Sequence, residues 1–222
     1  MDIIAAIDEQ IAQRSLLAHP FYRAWTRGEL TAGALRDYAV QYYRHVEAFP
    51  AYLSALHSHT GDASTRRHIL QNLIDEEAGA PNHPELWLQF AEAMGASAEE
   101  VRSGEAWKET HALVDTFRSI CRDGSTAEGL AALYSYESQI PAVATSKIEG
   151  LRRFYGVDNP VALAYFAVHE QADREHSAVE RRLIEKHVSA ANAQAAQDAS
   201  ASALDALWEM LSGVCRRHGI VC

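Results

Sequence analysis

The stretch NPVALAYFAVHEQADREH, residues 159–176, decides how this chain folds. Asn159-Pro160 opens a helix, because a proline in the first turn gives up only an N–H that would have no partner there. The helix runs on to about Val188. On it, His169, Asp173 and His176 stand at i, i+4 and i+7. At about 100° per residue they project within one arc of roughly 60°. Two imidazoles and a carboxylate on one stripe suit a metal that takes hard and borderline donors. A solvated face competes with that reading, since Glu170, Arg174 and Glu175 flank the stripe.

Helical signals extend in both directions from this segment. Ile3, Ile4, Ile7 and Ile11 recur at helical spacing. Thr31 is placed to cap a helix that runs past Leu56. Asp62 or Ser64 starts the next, which carries Asp75-Glu76-Glu77 before Gly79, Pro81 and Pro84 disturb it. Helix returns through Leu86 to Met94 and stops near Gly95. The segment from Ser97 to Arg122 is expected as one helix. Ser125 opens another, which Pro141 is expected to kink without ending. Nothing in the chain reads as a strand.

Composition agrees with an all-α fold of one domain. The chain has 222 residues, with only 12 Gly and 6 Pro, so turns are few. A net charge of -10 argues against nucleic acid or an anionic membrane as the main partner. No run approaches the roughly 18 apolar residues of a membrane span. The acidic start MDIIAAIDEQ does not read as a signal peptide. Three scattered cysteines, Cys121, Cys215 and Cys222, fit a reducing cytoplasm. Residues 1–188 are expected to form the functional bundle. Residues 189–203, almost all Ala, Ser, Gln, Asn and Asp, read as a linker or a loosely held helix. Residues 204–222 regain an amphipathic pattern and are expected to dock on the bundle, a neighbouring subunit or a partner.

Two further segments carry chemistry. In LYSYESQIP (133–141), Glu137 lies among Leu133, Tyr134, Tyr136 and Ile140. A carboxylate in an apolar helix needs a partner, and a metal ion or an Arg/Lys salt bridge would each supply one. In DEEAGAPNHPELW (75–87), Glu76 and His83 are seven apart, with Pro81 between them. By itself that stretch reads as an acidic helix end followed by a turn. Taken together, Glu76, His83, Glu137, His169, Asp173 and His176 form the mixed set from which helical bundles build dinuclear oxygen-activating centres. The Glu-x-x-His pairs common in such bundles are absent, which points to a different helical scaffold.

The order Glu76…His83, Glu137, His169…Asp173…His176 resembles the haem-oxygenase-like dimetal oxidases. HPFYRAWTRGELT (19–31), LYSYESQIP, NPVALAYFAVHEQAD and DEEAGAPNHPELW resemble, within them, the group of the chlamydial protein associating with death domains. The likeness spans roughly residues 5–188. It implies a seven-helix haem-oxygenase-like (thiaminase-like) bundle with an extra C-terminal helix. It also implies the six ligands above, two metal ions (Fe/Fe or Fe/Mn), and O2 with an external reductant. The activity implied is synthesis of 4-aminobenzoate, a folate precursor. The aromatic ring would come from a tyrosine of the chain and the nitrogen from a lysine. Tyr22 matches the sacrificial tyrosine, Tyr38 a second redox tyrosine and Lys147 the nitrogen donor.

The residues alone say less about those three. Nine tyrosines occur, and a bundle tyrosine is usually a core residue. Lys147, ten residues after Glu137, falls on nearly the opposite face of a straight helix and reads as an exposed lysine. An oxidase of the same scaffold acting on an external small molecule, and a helical protein-interaction module, are the alternatives. A thiaminase-like reaction needs a cysteine nucleophile in the pocket, and the three cysteines lie outside these motifs. A homodimer is expected by analogy of scaffold.

Overall fold

The computed structural model describes residues 3–221, and helices account for all the regular structure among them. In chain order these are α1 (Ile3–Gln13), a 3-10 turn (Leu16–Ala18), α2 (Pro20–Arg27), α3 (Ala32–His59), α4 (Ala63–Glu77) and α5 (His83–Ala93). They continue with α6 (Ala98–Ser103), α7 (Lys108–Asp123), α8 (Thr126–Glu137), α9 (Ile140–Phe154), α10 (Pro160–His187) and α11 (Ala193–Arg217).

The starts follow from local chemistry. The side chains of Thr31, Asp62 and Asn159 accept from Ala34, Thr65 and Val161 N–H groups, satisfying donors that a helix leaves open. Reciprocal capping boxes, Asn82 with Glu85 and Ser125 with Glu128, begin α5 and α8. Three long helices form the frame. α3 packs on α4, α5 and α7. α10 packs on α5, α8 and α9, and α11 on α7 and α8. The residues singled out above sit where these meet.

The expected helix from Ser97 to Arg122, and the one from Ser125 expected to run on past Pro141, are each split. Residues 104–107 separate α6 from α7, and Ser138-Gln139 separates α8 from α9. Pro141 therefore sits in the first turn of a new helix, where its missing N–H removes no hydrogen bond. This break re-aims everything after Glu137.

The 189–203 stretch is not a linker over most of its length. From Ala193 onward it is the first half of α11, with Ala196, Ala199, Ser200 and Ala203 buried. Small side chains bury little area, but they let two helices approach closely. The Ser200 hydroxyl lies 2.8 Å from that of Ser135 on α8. Farther along, Leu204, Leu207, Met210, Leu211 and Val214 are buried in the bundle, so the amphipathic segment docks on its own chain. Cys222 lies outside the described residues.

Candidate metal centre

Each of the six candidate side chains comes from one of four helices. Glu76 is on the last turn of α4, His83 is the first residue of α5, Glu137 ends α8, and His169, Asp173 and His176 line α10. The helix through Glu76 does not continue to His83. It stops at Glu77, the chain turns through 78–82, and the Asn82 cap restarts it, which returns His83 to Glu76.

The six divide into two triads: Glu76, His83 and His169, and Glu137, Asp173 and His176. Within each triad the donor atoms lie within 4.8 Å of one another. All are buried except His176, which is nearly so. His169 Nδ1 and Asp173 Oδ2, 3.0 Å apart, join the triads. The Asn72 amide donates to Glu137 Oε1 at 2.9 Å, and Asp75 Oδ2 lies 3.1 Å from His176 Nε2.

The unsatisfied atoms carry the chemical meaning. His83 Nδ1, His169 Nε2, His176 Nδ1 and Glu137 Oε2 are buried and make no hydrogen bond. His83 Nδ1 comes within 2.8 Å of Glu76 Oε2, yet off the line a hydrogen bond requires. Orphaned buried polar atoms are costly unless something outside the chain satisfies them. Converging imidazole nitrogens and carboxylate oxygens are what a pair of Fe- or Mn-type ions binds. The residues therefore fit a two-metal group.

Charge is concentrated here. Burial works against a proton on His169, but Asp173, Glu76 and Glu137 together hold its pKa above the ordinary value. His176 also loses hydration, yet Asp173, Glu137 and Asp75 raise it to about 11. Burial would raise Asp173, but the two histidines hold it below the usual carboxylate range. Until a metal binds, the protonated His176 imidazole is a cation held among these acids.

A sealed aromatic cluster lies beside the centre. The Tyr165 ring lies 4.3 Å from that of His169, tilted against it, and meets the Trp87 ring edge-on at 4.8 Å, measured between centroids. Trp87 leads to Tyr42 and Tyr38 at 5.1 and 5.8 Å. Lys147 Nζ is inside this cluster, 5.0–5.6 Å from the ring centres of Tyr22, Tyr38, Tyr42, Trp87 and Phe166. It donates to the Tyr38 hydroxyl at 2.6 Å, and the Tyr22 hydroxyl lies 3.4 Å from that of Tyr38. Tyr22 and Tyr38 are buried, and desolvation pushes both phenols up.

Lys147 is thus not the surface residue that helical projection from Glu137 suggests. It is 4% exposed, because the break at Ser138-Gln139 resets the helix direction. Burial lowers its pKa to about 7. The Trp25 indole donates to the Lys147 carbonyl at 3.4 Å, and Gly150, one turn on, leaves room for that indole.

Sequence reading missed Asn72, Trp87, Tyr165 and Glu180. Glu180 is buried and continues the α10 stripe one turn beyond His176, a signal present in the sequence. Burial, together with the neighbouring Glu137 carboxylate, pushes its carboxyl well above the usual range. The cysteines stand apart. Cys121 is buried, with its thiol pushed up to about 12 by desolvation and Glu137, and Cys215 is also buried. A thiol held as high as that of Cys121 offers no thiolate for nucleophilic chemistry.

Residues 36–208 match the model of a family described as iron-containing redox enzymes. The chain belongs to that family. It is an oxidoreductase with an all-helical haem-oxygenase-like fold. A protein of Chlamydia pneumoniae named 4-aminobenzoate synthase is 44% identical over 94% of this chain and 93% of its own length. A TenA homologue from Pseudomonas syringae superimposes with a TM-score of 0.81 at 18% identity, covering 96% of this chain and 91% of that one. A domain from Shewanella denitrificans, described as having a haem-oxygenase-like fold, gives 0.79 at 15% identity, covering 98% and 90%. At these identities the two structures speak to the fold alone. Among the described residues no helix is long and apolar enough to cross a membrane.

Proposed function

We propose that the protein is a dimetal, O2-dependent 4-aminobenzoate synthase that takes the aromatic ring from its own Tyr22 and the nitrogen from Lys147. The observation that carries this reading is the sealed contact of Lys147 Nζ, the Tyr38 hydroxyl and the Tyr22 hydroxyl, joined to His169 of the first triad through the rings of Trp87 and Tyr165. The chlamydial relative named for this activity supports it. Glu76, His83 and His169 would hold one ion, and Glu137, Asp173 and His176 the other, as Fe/Fe or Fe/Mn. When bound, the pair supplies the one-electron oxidation by O2 that no side chain can perform.

The chain's own groups do the remaining work. Trp87 and Phe166 close Lys147 off from water. With its pKa near neutrality, Lys147 is available as a free amine, the form that can form a bond to carbon. Tyr38 stands between Lys147 and Tyr22, where it can pass a proton or an oxidising equivalent. Asn72 fixes the Glu137 carboxylate. An external reductant would supply the electrons. The protein would work as a cytoplasmic homodimer.

A second reading is an oxidase acting on an external small molecule. A cavity of about 120 Å³ reaches Asn72, His176 and Glu180 between apolar walls that include Leu53, Ile69 and Leu133, and it favours that option. A single-turnover assay separates the two. Anaerobic apo-protein is loaded with Fe(II), with or without Mn(II), then given reductant and O2 but no organic substrate. About one 4-aminobenzoate per chain or less, with a matching mass change at Tyr22, supports self-sacrifice. O2 uptake with no product and an unchanged protein mass supports an external substrate.

A further inference from the structure

We infer that Glu180 is a seventh ligand, completing the Glu137–Asp173–His176 site and making the two metal positions chemically unequal. This rests on the dimetal reading above. Glu180 follows His169, Asp173 and His176 on α10, and eleven residues from His169 return it to the same arc, about 20° away. Its side chain is 5% exposed and lies against that of Glu137, and Glu180 Oε2 has no partner. Glu137 Oε2 has none either. Two buried carboxyl groups in contact need something positive between them, a proton or a metal ion. Among the described residues no Arg or Lys forms an ion pair with either acid.

The surroundings give an ion a way in. The cavity described above ends on Glu180 and His176, with Asp75 and Glu175 among its lining acids. With Glu180 included, this position offers three carboxylates and one imidazole. The other offers one carboxylate and two imidazoles. The first is the harder, more anionic site and favours an ion that prefers oxygen. The second suits one that accepts nitrogen more readily.

The test is anaerobic binding of Mn(II) and Fe(II) to the full-length apo-protein, by equilibrium dialysis with elemental analysis. Wild type is compared with Glu180→Gln and Glu180→Asp. Two equivalents are expected for wild type. In Glu180→Gln one equivalent keeps its affinity and the other weakens about 10- to 100-fold, as for loss of a group that sets a metal's environment, with Mn(II) losing more than Fe(II). Glu180→Asp restores part of it. Two unaltered equivalents in Glu180→Gln, or equal weakening of both, overturn the inference while the dimetal reading stands. A wild-type chain that takes up no metal overturns both. If Glu180→Gln does not fold, wild-type crystals soaked in Mn(II) decide through anomalous scattering: a Glu180 oxygen bound to the ion supports the assignment, and a carboxyl turned away from it overturns it.

Discussion

Lys147 Nζ donates a 2.6 Å hydrogen bond to the Tyr38 hydroxyl inside a cluster of aromatic rings sealed from water. A lysine here loses the hydration that normally keeps it charged, and its pKa falls from 10.5 to about 7.

That shift has a consequence for stability. Between pH 7 and 10.5 the unfolded chain holds a proton on Lys147 that the folded chain has released. Stability therefore rises with pH across that window, and the burden of a buried ammonium is full below pH 7. Lys147→Met removes the burden. Relative to wild type, its gain in urea unfolding should be greater near pH 6 than near pH 9 by about 2–3 kcal/mol. Equal gains at both pH values would sink this account. No 4-aminobenzoate should form in the variant at either pH.

Tyr22→Phe removes one hydroxyl that makes a single long contact with Tyr38. The ring stays, so unfolding free energy should change by about 1 kcal/mol or less. Two metal equivalents should remain while 4-aminobenzoate disappears. Normal product from this variant would move the sacrificed residue elsewhere.

Asn72 touches the centre only through Glu137. Asn72→Ala should weaken one metal equivalent about 10-fold or more by freeing that carboxylate, leaving the Glu76–His83–His169 position at wild-type affinity. By contrast, Glu137→Ala and His169→Ala should each abolish product. Metal-binding isotherms distinguish these patterns.

Gly150 is a packing requirement. A Cβ there would lie 2.5 Å from the Trp25 indole, whose N–H donates to the Lys147 carbonyl. Gly150→Ala should cost about 1–3 kcal/mol through forced displacement. Thermal melting measures the loss. An unchanged midpoint would mean that Trp25 yields freely.

Removal of residues 189–222 should unfold the protein rather than free a partner-binding bundle. Burial of Leu204, Leu207, Met210, Leu211 and Val214 is worth about 1.5–3 kcal/mol per side chain, together comparable with the whole stability of a domain. Circular dichroism of the truncated chain checks this. A cooperative melt near that of the full chain would restore the tail as an independent module.

The sequence by itself determined the all-helical class, most helix starts and the six metal-site candidates. Those properties depend on local chemistry. Caps act within three residues, as at Thr31 and Asp62, and a stripe such as His169–Asp173–His176 follows from one helix's own period. Tertiary structure decided the rest. The gap at Ser138-Gln139 turned Lys147 inward, the turn at 78–82 brought His83 back to Glu76, and α8 supplied the wall that makes the Ala/Ser stretch of α11 a buried helix. Those outcomes depend on where separate helices meet. A residue's burial and its partners are set by neighbours distant in sequence, and no local period encodes them. Glu180 stands between the two cases: its place on the stripe was legible, but its contact with Glu137 appears only when α8 packs on α10.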